Sequence, residues 1–190
     1  LRSTSNLMVA LPFDNGERLI MSDELKYVTR ILKEAMNEST TSVGVAAPQV
    51  GYNMAVFVTR IPKEIVDRGN VSVIKEQPET IYINPSYKVI GNETNVGIEA
   101  CMSVDNKIGI VRRPSKISVS YCDEFGKYIE DEILEGYNAR VFLHEYDHLC
   151  GILFIDKADQ LYDRETWVDL LNHNREINNI EWLNSVGLVK

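Results

Sequence analysis

The chain has 190 residues, 44% apolar and 25% charged, so a single folded domain over residues 1–190 with a buried core is expected. The formal net charge is −8, from 28 acidic against 20 basic residues, and no Lys/Arg run stands out, so direct nucleic-acid binding through a basic patch is not expected. No apolar stretch is long enough to cross a bilayer as a helix, so no membrane partner is expected. Cys101, Cys122 and Cys150 form no CxxC pair and no disulfide framework.

Ser22 can cap a helix whose first turn carries Asp23 and Glu24, and Leu25, Val28, Leu32 and Met36 then recur at spacings of three and four. A helix to about Asn37 follows, with that stripe on the core. A loop carries Ser42 to Gln49, and Met54–Thr59 reads as a strand. The polar stretch 61–79 reads as an inserted excursion. Short strands are expected at Thr80–Asn84, Tyr87–Ile90, Ile108–Val111, Ile117–Tyr121 and Ile129–Leu134, with a hairpin loop around Cys122–Gly126. A second helix is expected from Asn138, as its cap, to Leu149, with Gly151 just past its end. A third spans Asp163–Asn174. This order predicts an α+β fold: mainly antiparallel sheets packed around a central HExxH-bearing helix, with an N-terminal and a C-terminal helix. Residues 161–190 then form a C-terminal extension.

The chemistry concentrates in His144-Glu145-Tyr146-Asp147-His148, an HExxH motif. Histidines at i and i+4 lie one turn apart on one helix face, where both imidazoles reach a single ion. Glu145, next to the first of them, can overhang an open coordination position and shuttle a proton. The motif uses two of the three histidines in the chain, and His173 reads as a solvated helix-end residue. HExxH names a metal site and not a reaction. A zinc endopeptidase taking its third ligand from Glu165, Glu176 or Glu181 is one reading. Cys101, roughly forty residues earlier, is by itself as readily a buried structural thiol as a ligand.

Taken together, Val43-Gly44-Val45-Ala46-Ala47-Pro48-Gln49, Glu99-Ala100-Cys101-Met102-Ser103 and the HExxH segment resemble the peptide deformylase motifs GxGxAAxQ, EGCLS and HExDH, in that order. The resemblance extends through Asn84-Pro85 and through Leu149, Gly151, Leu153, Phe154, Asp156 and Lys157. Leu1-Arg2 resembles the end of the family's D-P-x-L-R segment, which implies a short strand preceding it.

The resemblance implies a hydrolase that removes the N-formyl group from the terminal methionine of nascent polypeptides. Its substrates are then formyl-methionyl chains met near the ribosome, in the cytoplasm of a bacterium or in a mitochondrion or plastid. Cys101, His144 and His148 are the implied ligands of one divalent ion, physiologically Fe2+, with Zn2+, Ni2+ or Co2+ as alternatives. Glu145 is the implied proton shuttle, and the Gln49 amide and Met102 backbone N–H the implied donors to the developing oxyanion. Val43, Gly44, Val45, Glu99, Ala100, Arg140 and Val141 are expected to contact substrate, Arg140 at the pocket mouth. Asp147 is expected to pair with Arg113. Ser42 and Ala100 stand where the family has glycine, Met102 where leucine is common, and Ile108 where many members have arginine. If Ala100 required a positive φ or crowded the substrate, the protein would be a weakly active, binding-only relative.

Overall fold

Ser22 accepts a hydrogen bond from the Leu25 N–H at 3.1 Å, and the acidic first turn of Asp23 and Glu24 meets the positive helix end. The computed structural model describes residues 13–14, 18–19, 21–39, 42–67, 70–73, 76–177 and 179–186. Leu1-Arg2 lies outside them. A first short hairpin pairs β1 (Phe13–Asp14) with β2 (Arg18–Leu19). Helix α1 (Asp23–Glu38) then buries Leu25, Val28, Leu32 and Met36 as its periodicity requires. Each such side chain contributes about 1.5–3 kcal/mol relative to exposure.

The strands are β3 (Gly44–Ala46), β4 (Val56–Ile61), β5 (Glu64–Asp67), β6 (Asn70–Val73), β7 (Gln77–Val89), β8 (Thr94–Cys101), β9 (Val104–Pro114), β10 (Lys116–Cys122) and β11 (Tyr128–Glu135). Helix α2 (Gly136–Leu149), strand β12 (Ala158–Asp163) and helices α3 (Arg164–Glu176) and α4 (Ile180–Ser185) follow. All pairings are antiparallel: a five-stranded sheet ordered β11-β10-β7-β4-β3, a three-stranded sheet β12-β9-β8, and a β5-β6 hairpin within the 61–79 excursion. The fold is thus mixed α and β with antiparallel sheets.

Period-two alternation divides the core into layers. Val56, Val58, Ile81 and Ile83 face α1, whereas Phe57, Tyr82, Ile117 and Val119 meet Ala139, Phe142 and Leu143 of α2. Phe142 packs edge to face on both Phe57 and Tyr82, with ring centroids 5.2 Å apart in each pair. On β9, Ile108 and Ile110 face the other way and join Trp167, Leu171, Leu183 and Val186 of the C-terminal segments. Ile108 therefore sits in a core formed with the tail.

Several expectations need correction. Helix α2 starts at Gly136, with Glu135 as its N-cap. Gly136 adopts φ 57°, which lets β11 turn directly into the helix, so Asn138 is buried inside it and donates to Gln77. The segments 80–84 and 87–90 belong to one strand, β7. Its ladder with β10 shifts register opposite Asn84-Pro85, where a proline without an N–H is tolerated. Strands β8 and β12 and helix α4 were not anticipated.

Candidate metal centre

Strand β8 ends at Cys101, and alternation along it points Gly97, Glu99 and Cys101 towards α2 while Val96 and Ile98 pack against the tail core. One α2 turn separates His144 from His148, whose rings lie 5.0 Å apart at 81°. Ligand atoms of Cys101, His144 and His148 all fall within 4.8 Å of one another, and Cys101 Sγ is 3.2 Å from His148 Nε2. Burial opposes ionisation of the Cys101 thiol, but hydrogen bonds with His144 and His148 outweigh it and bring its pKa down to about 5. A thiolate is the form that binds a metal.

The donors fit a divalent ion. His144 Nδ1 meets Glu99 Oε2 at 2.9 Å, which fixes the ring and leaves Nε2 for the ion. Three soft or borderline ligands with one position open is the pattern of a catalytic site. Glu145 is fully buried beside them, and its Oε2 has no hydrogen-bond partner among the described residues. Burial pushes its carboxyl up to about 7, with the imidazoles acting in the opposite direction. An orphaned carboxylate oxygen next to an open ligand position is suited to hold a water proton.

Gly44 explains how Glu145 fits there. A Cβ at residue 44 would lie 2.4 Å from Glu145 Oε1 and 2.6 Å from its Cδ. Gly44→Ala is therefore expected to displace the carboxylate, lowering kcat by about 10²-fold with metal content unchanged. Steady-state kinetics beside metal analysis checks this; full activity in the variant would show that the carboxylate position does not matter.

The remaining neighbours are placed by short-range hydrogen bonds. Gln49 accepts from the Ala46 N–H at 2.7 Å, which aims its amide at Cys101 Sγ (3.4 Å) and Ser103 Oγ (3.1 Å). Met102 occupies the turn between β8 and β9, its side chain exposed. A cavity of about 490 Å³ opens on the site, lined by Val43, Gly44, Gln49, Glu99, Ala100, Met102, Arg140 and Val141 together with Cys101, His144 and Glu145. Tyr137 and Arg164, unforeseen from the sequence, line it as well.

One expected substrate contact, Val45, lies outside the cavity lining, and two others, Glu99 and Arg140, line it from buried positions. Val45 lies in the α1 core rather than in the cavity wall, because alternation along β3 turns it away from Gly44. Glu99 is the centre of a buried ion network: it accepts from Arg113 Nε and Nη2 (2.9 and 2.8 Å), from Arg140 Nη1 (2.8 Å), and faces His144. Burial opposes its charge, yet the Arg113 and His144 hydrogen bonds hold the carboxyl well below the usual range. Arg140 is buried at 6% exposure rather than at the mouth. Arg113 also bonds Asp147, the pairing expected from the sequence, and Lys157 reaches Asp147 at 2.7 Å.

Ala100 is not among the described non-glycine residues with left-handed φ, which are Asn84, Asn106 and Asp131, so its backbone does not demand glycine. Glu165, Glu176 and Glu181 are exposed on α3 and α4, and among the described residues the third donor beside the two imidazoles is Cys101. His173 is exposed in the last turn of α3.

Residues 12–164 match the family model for polypeptide deformylase. The chain belongs to the peptide deformylase family. A peptide deformylase of Thermotoga sp. strain RQ2 is 38% identical over 151 residues, covering 78% of this chain and 82% of that protein. Peptide deformylase 3 of Streptomyces avermitilis is 36% identical over 118 residues, 62% of this chain and 52% of that protein, so this chain spans about half of that deformylase's length. A class I type b peptide deformylase of Acinetobacter baumannii, solved with Met-Ala-Ser bound, superposes with a TM-score of 0.63 at 28% identity, covering 80% of this chain and 90% of that one. The deformylase family consists of metalloenzymes, in keeping with the Cys101/His144/His148 group.

Proposed function

We propose that the protein is a metal-dependent deformylase that hydrolyses the formyl amide of N-formylmethionyl chains, working as one catalytic domain with the two larger sheets arranged around α2. The observation that carries this reading is the unpartnered, buried Glu145 carboxylate beside a Cys101/His144/His148 ligand set. A divalent ion on those ligands, Fe2+ in the cell and replaceable by Zn2+, Ni2+ or Co2+, supplies a Lewis acid and an activated water when bound.

The chain's own residues do the rest. Glu145 takes the proton released as the formyl carbonyl is attacked, and returns it to the departing amine. The Gln49 amide and the Met102 N–H donate to the carbonyl oxygen as negative charge gathers there, an arrangement typically worth about 3–4 kcal/mol per donor. β3 is the edge strand of its sheet. The Arg60 N–H bonds the Val43 carbonyl, so by alternation Gly44 turns its own N–H and C=O away from β4, towards an extended peptide that adds to the edge. Val43, Gly44 and Val141 then flank the substrate side chain, and the Ala100 Cβ borders the passing backbone. Formyl-methionyl nascent chains place the enzyme near the ribosome in the cytoplasm or in an organelle.

Metal-loaded protein is expected to hydrolyse formyl-Met-Ala-Ser and to leave internal peptide bonds intact. Cys101→Ser should lose both the metal and the activity. Retained metal together with internal cleavage in that variant would transfer the assignment to an endopeptidase.

A further inference from the structure

Arg140 carries five N–H donors. Nη1 bonds Glu99 Oε1 (2.8 Å) and the Val111 carbonyl (3.0 Å), and Nη2 bonds the Asn95 carbonyl (3.0 Å) and Asn95 Oδ1 (2.7 Å). The fifth donor, Nε–H, has no partner among the described residues. Yet the side chain is only 7% exposed and lines the cavity. Among the described residues this nitrogen is not one of the fully buried unpartnered atoms, so its N–H is open to an acceptor from solvent or a ligand.

Gly97 makes the arrangement possible. A Cβ at residue 97 would lie 2.8 Å from Arg140 Cζ and 2.9 Å from Nε, so any other residue would displace the guanidinium. The four bonds already made hold the group in place, and Arg140 lines the cavity together with Val141 and Tyr137. On the deformylase reading, a first side chain that enters beside Val141 comes near this guanidinium.

We propose that Arg140 is a specificity-determining residue whose free Nε–H receives an acceptor atom at the end of the substrate's first side chain, so that the pocket takes methionine sulfoxide as well as methionine. The inference rests on the deformylase reading of the cavity. A thioether sulfur is a weak acceptor, whereas a sulfoxide oxygen is a strong one. In a wholly apolar pocket the sulfoxide would be rejected in favour of norleucine, because its oxygen would lose its water without replacement.

The test compares peptides X-Ala-Ser in which X is methionine, methionine sulfoxide or norleucine. Formylated forms are read as kcat/KM, and deformylated forms as binding to metal-loaded protein by calorimetry. In the wild type the sulfoxide peptide should bind within about tenfold of the norleucine peptide. Arg140→Met should lower the sulfoxide-to-norleucine ratio by about tenfold or more, and Arg140→Lys should lower it less. A wild-type preference for norleucine beyond tenfold, or an equal fall for all three peptides in Arg140→Met, would overturn the proposal and leave Arg140 as scaffold. Absence of formyl hydrolysis would sink the deformylase reading alone, since the binding order of the deformylated peptides still decides the role of Arg140.

Discussion

Glu145→Gln is expected to lower kcat for formyl-Met-Ala-Ser by roughly 10³-fold, within the 10²–10⁴ range typical of a lost general acid–base group. The variant keeps the shape of the side chain and a hydrogen-bonding oxygen, so folding and metal content should be unchanged. What it loses is the capacity to take a proton and give it back. The carboxylate is buried with one oxygen unpartnered, and Gly44 leaves the space it fills, so no other described group stands in the same position. Rate measurements on protein with its metal content determined decide the matter. A variant within tenfold of the wild type would remove Glu145 from the chemistry.

Arg113→Ala is expected to destabilise the protein by about 3 kcal/mol and to speed the loss of metal to a chelator. Removing one partner of a buried ion pair typically costs 3–5 kcal/mol, because the other charge stays buried without compensation. Arg113 joins Glu99 to Asp147 with a side chain only 2% exposed, so its loss affects two carboxylates at once. The lower end of the range applies, since Arg140 still holds Glu99 and Lys157 still reaches Asp147. Weaker metal retention follows because Glu99 orients His144. Arg113→Lys should fall between the two, as one ammonium cannot fork across both acids. Denaturant melts and chelator competition are the checks; unchanged midpoints and unchanged metal loss would show the network to be idle.

The sequence made the helices and the ligand set legible for local reasons. Ser22 and the Leu25-to-Met36 stripe specify α1, and the i, i+4 spacing of His144 and His148 specifies one helix face, whatever the rest of the chain does. Strand β8 was not legible because its pattern is inverted. The residues that face inward, Glu99 and the small Gly97, are polar or featureless, and their burial depends on arginines supplied by β9 and α2. For the same reason the bond from Glu99 to His144 was not expected. A signal was available: Glu99 lies two residues before Cys101, so in a strand both side chains share one face. Arg140 could not be placed from its own position on the helix, since its burial depends on the missing Cβ of Gly97 in a distant strand. The packing of the C-terminal extension was not legible because Trp167, Leu171, Leu183 and Val186 find their partners on β9, more than fifty residues away in sequence.

That last core ties the tail to a single strand with two occupations. One side of β9 offers Ile108 and Ile110 to the tail, while Arg113 and the Val111 carbonyl serve the ion network. An arginine placed at residue 108 would press an unpaired charge against Trp167 and Leu171. Residue 108 and the tail therefore tolerate change only as a matched set.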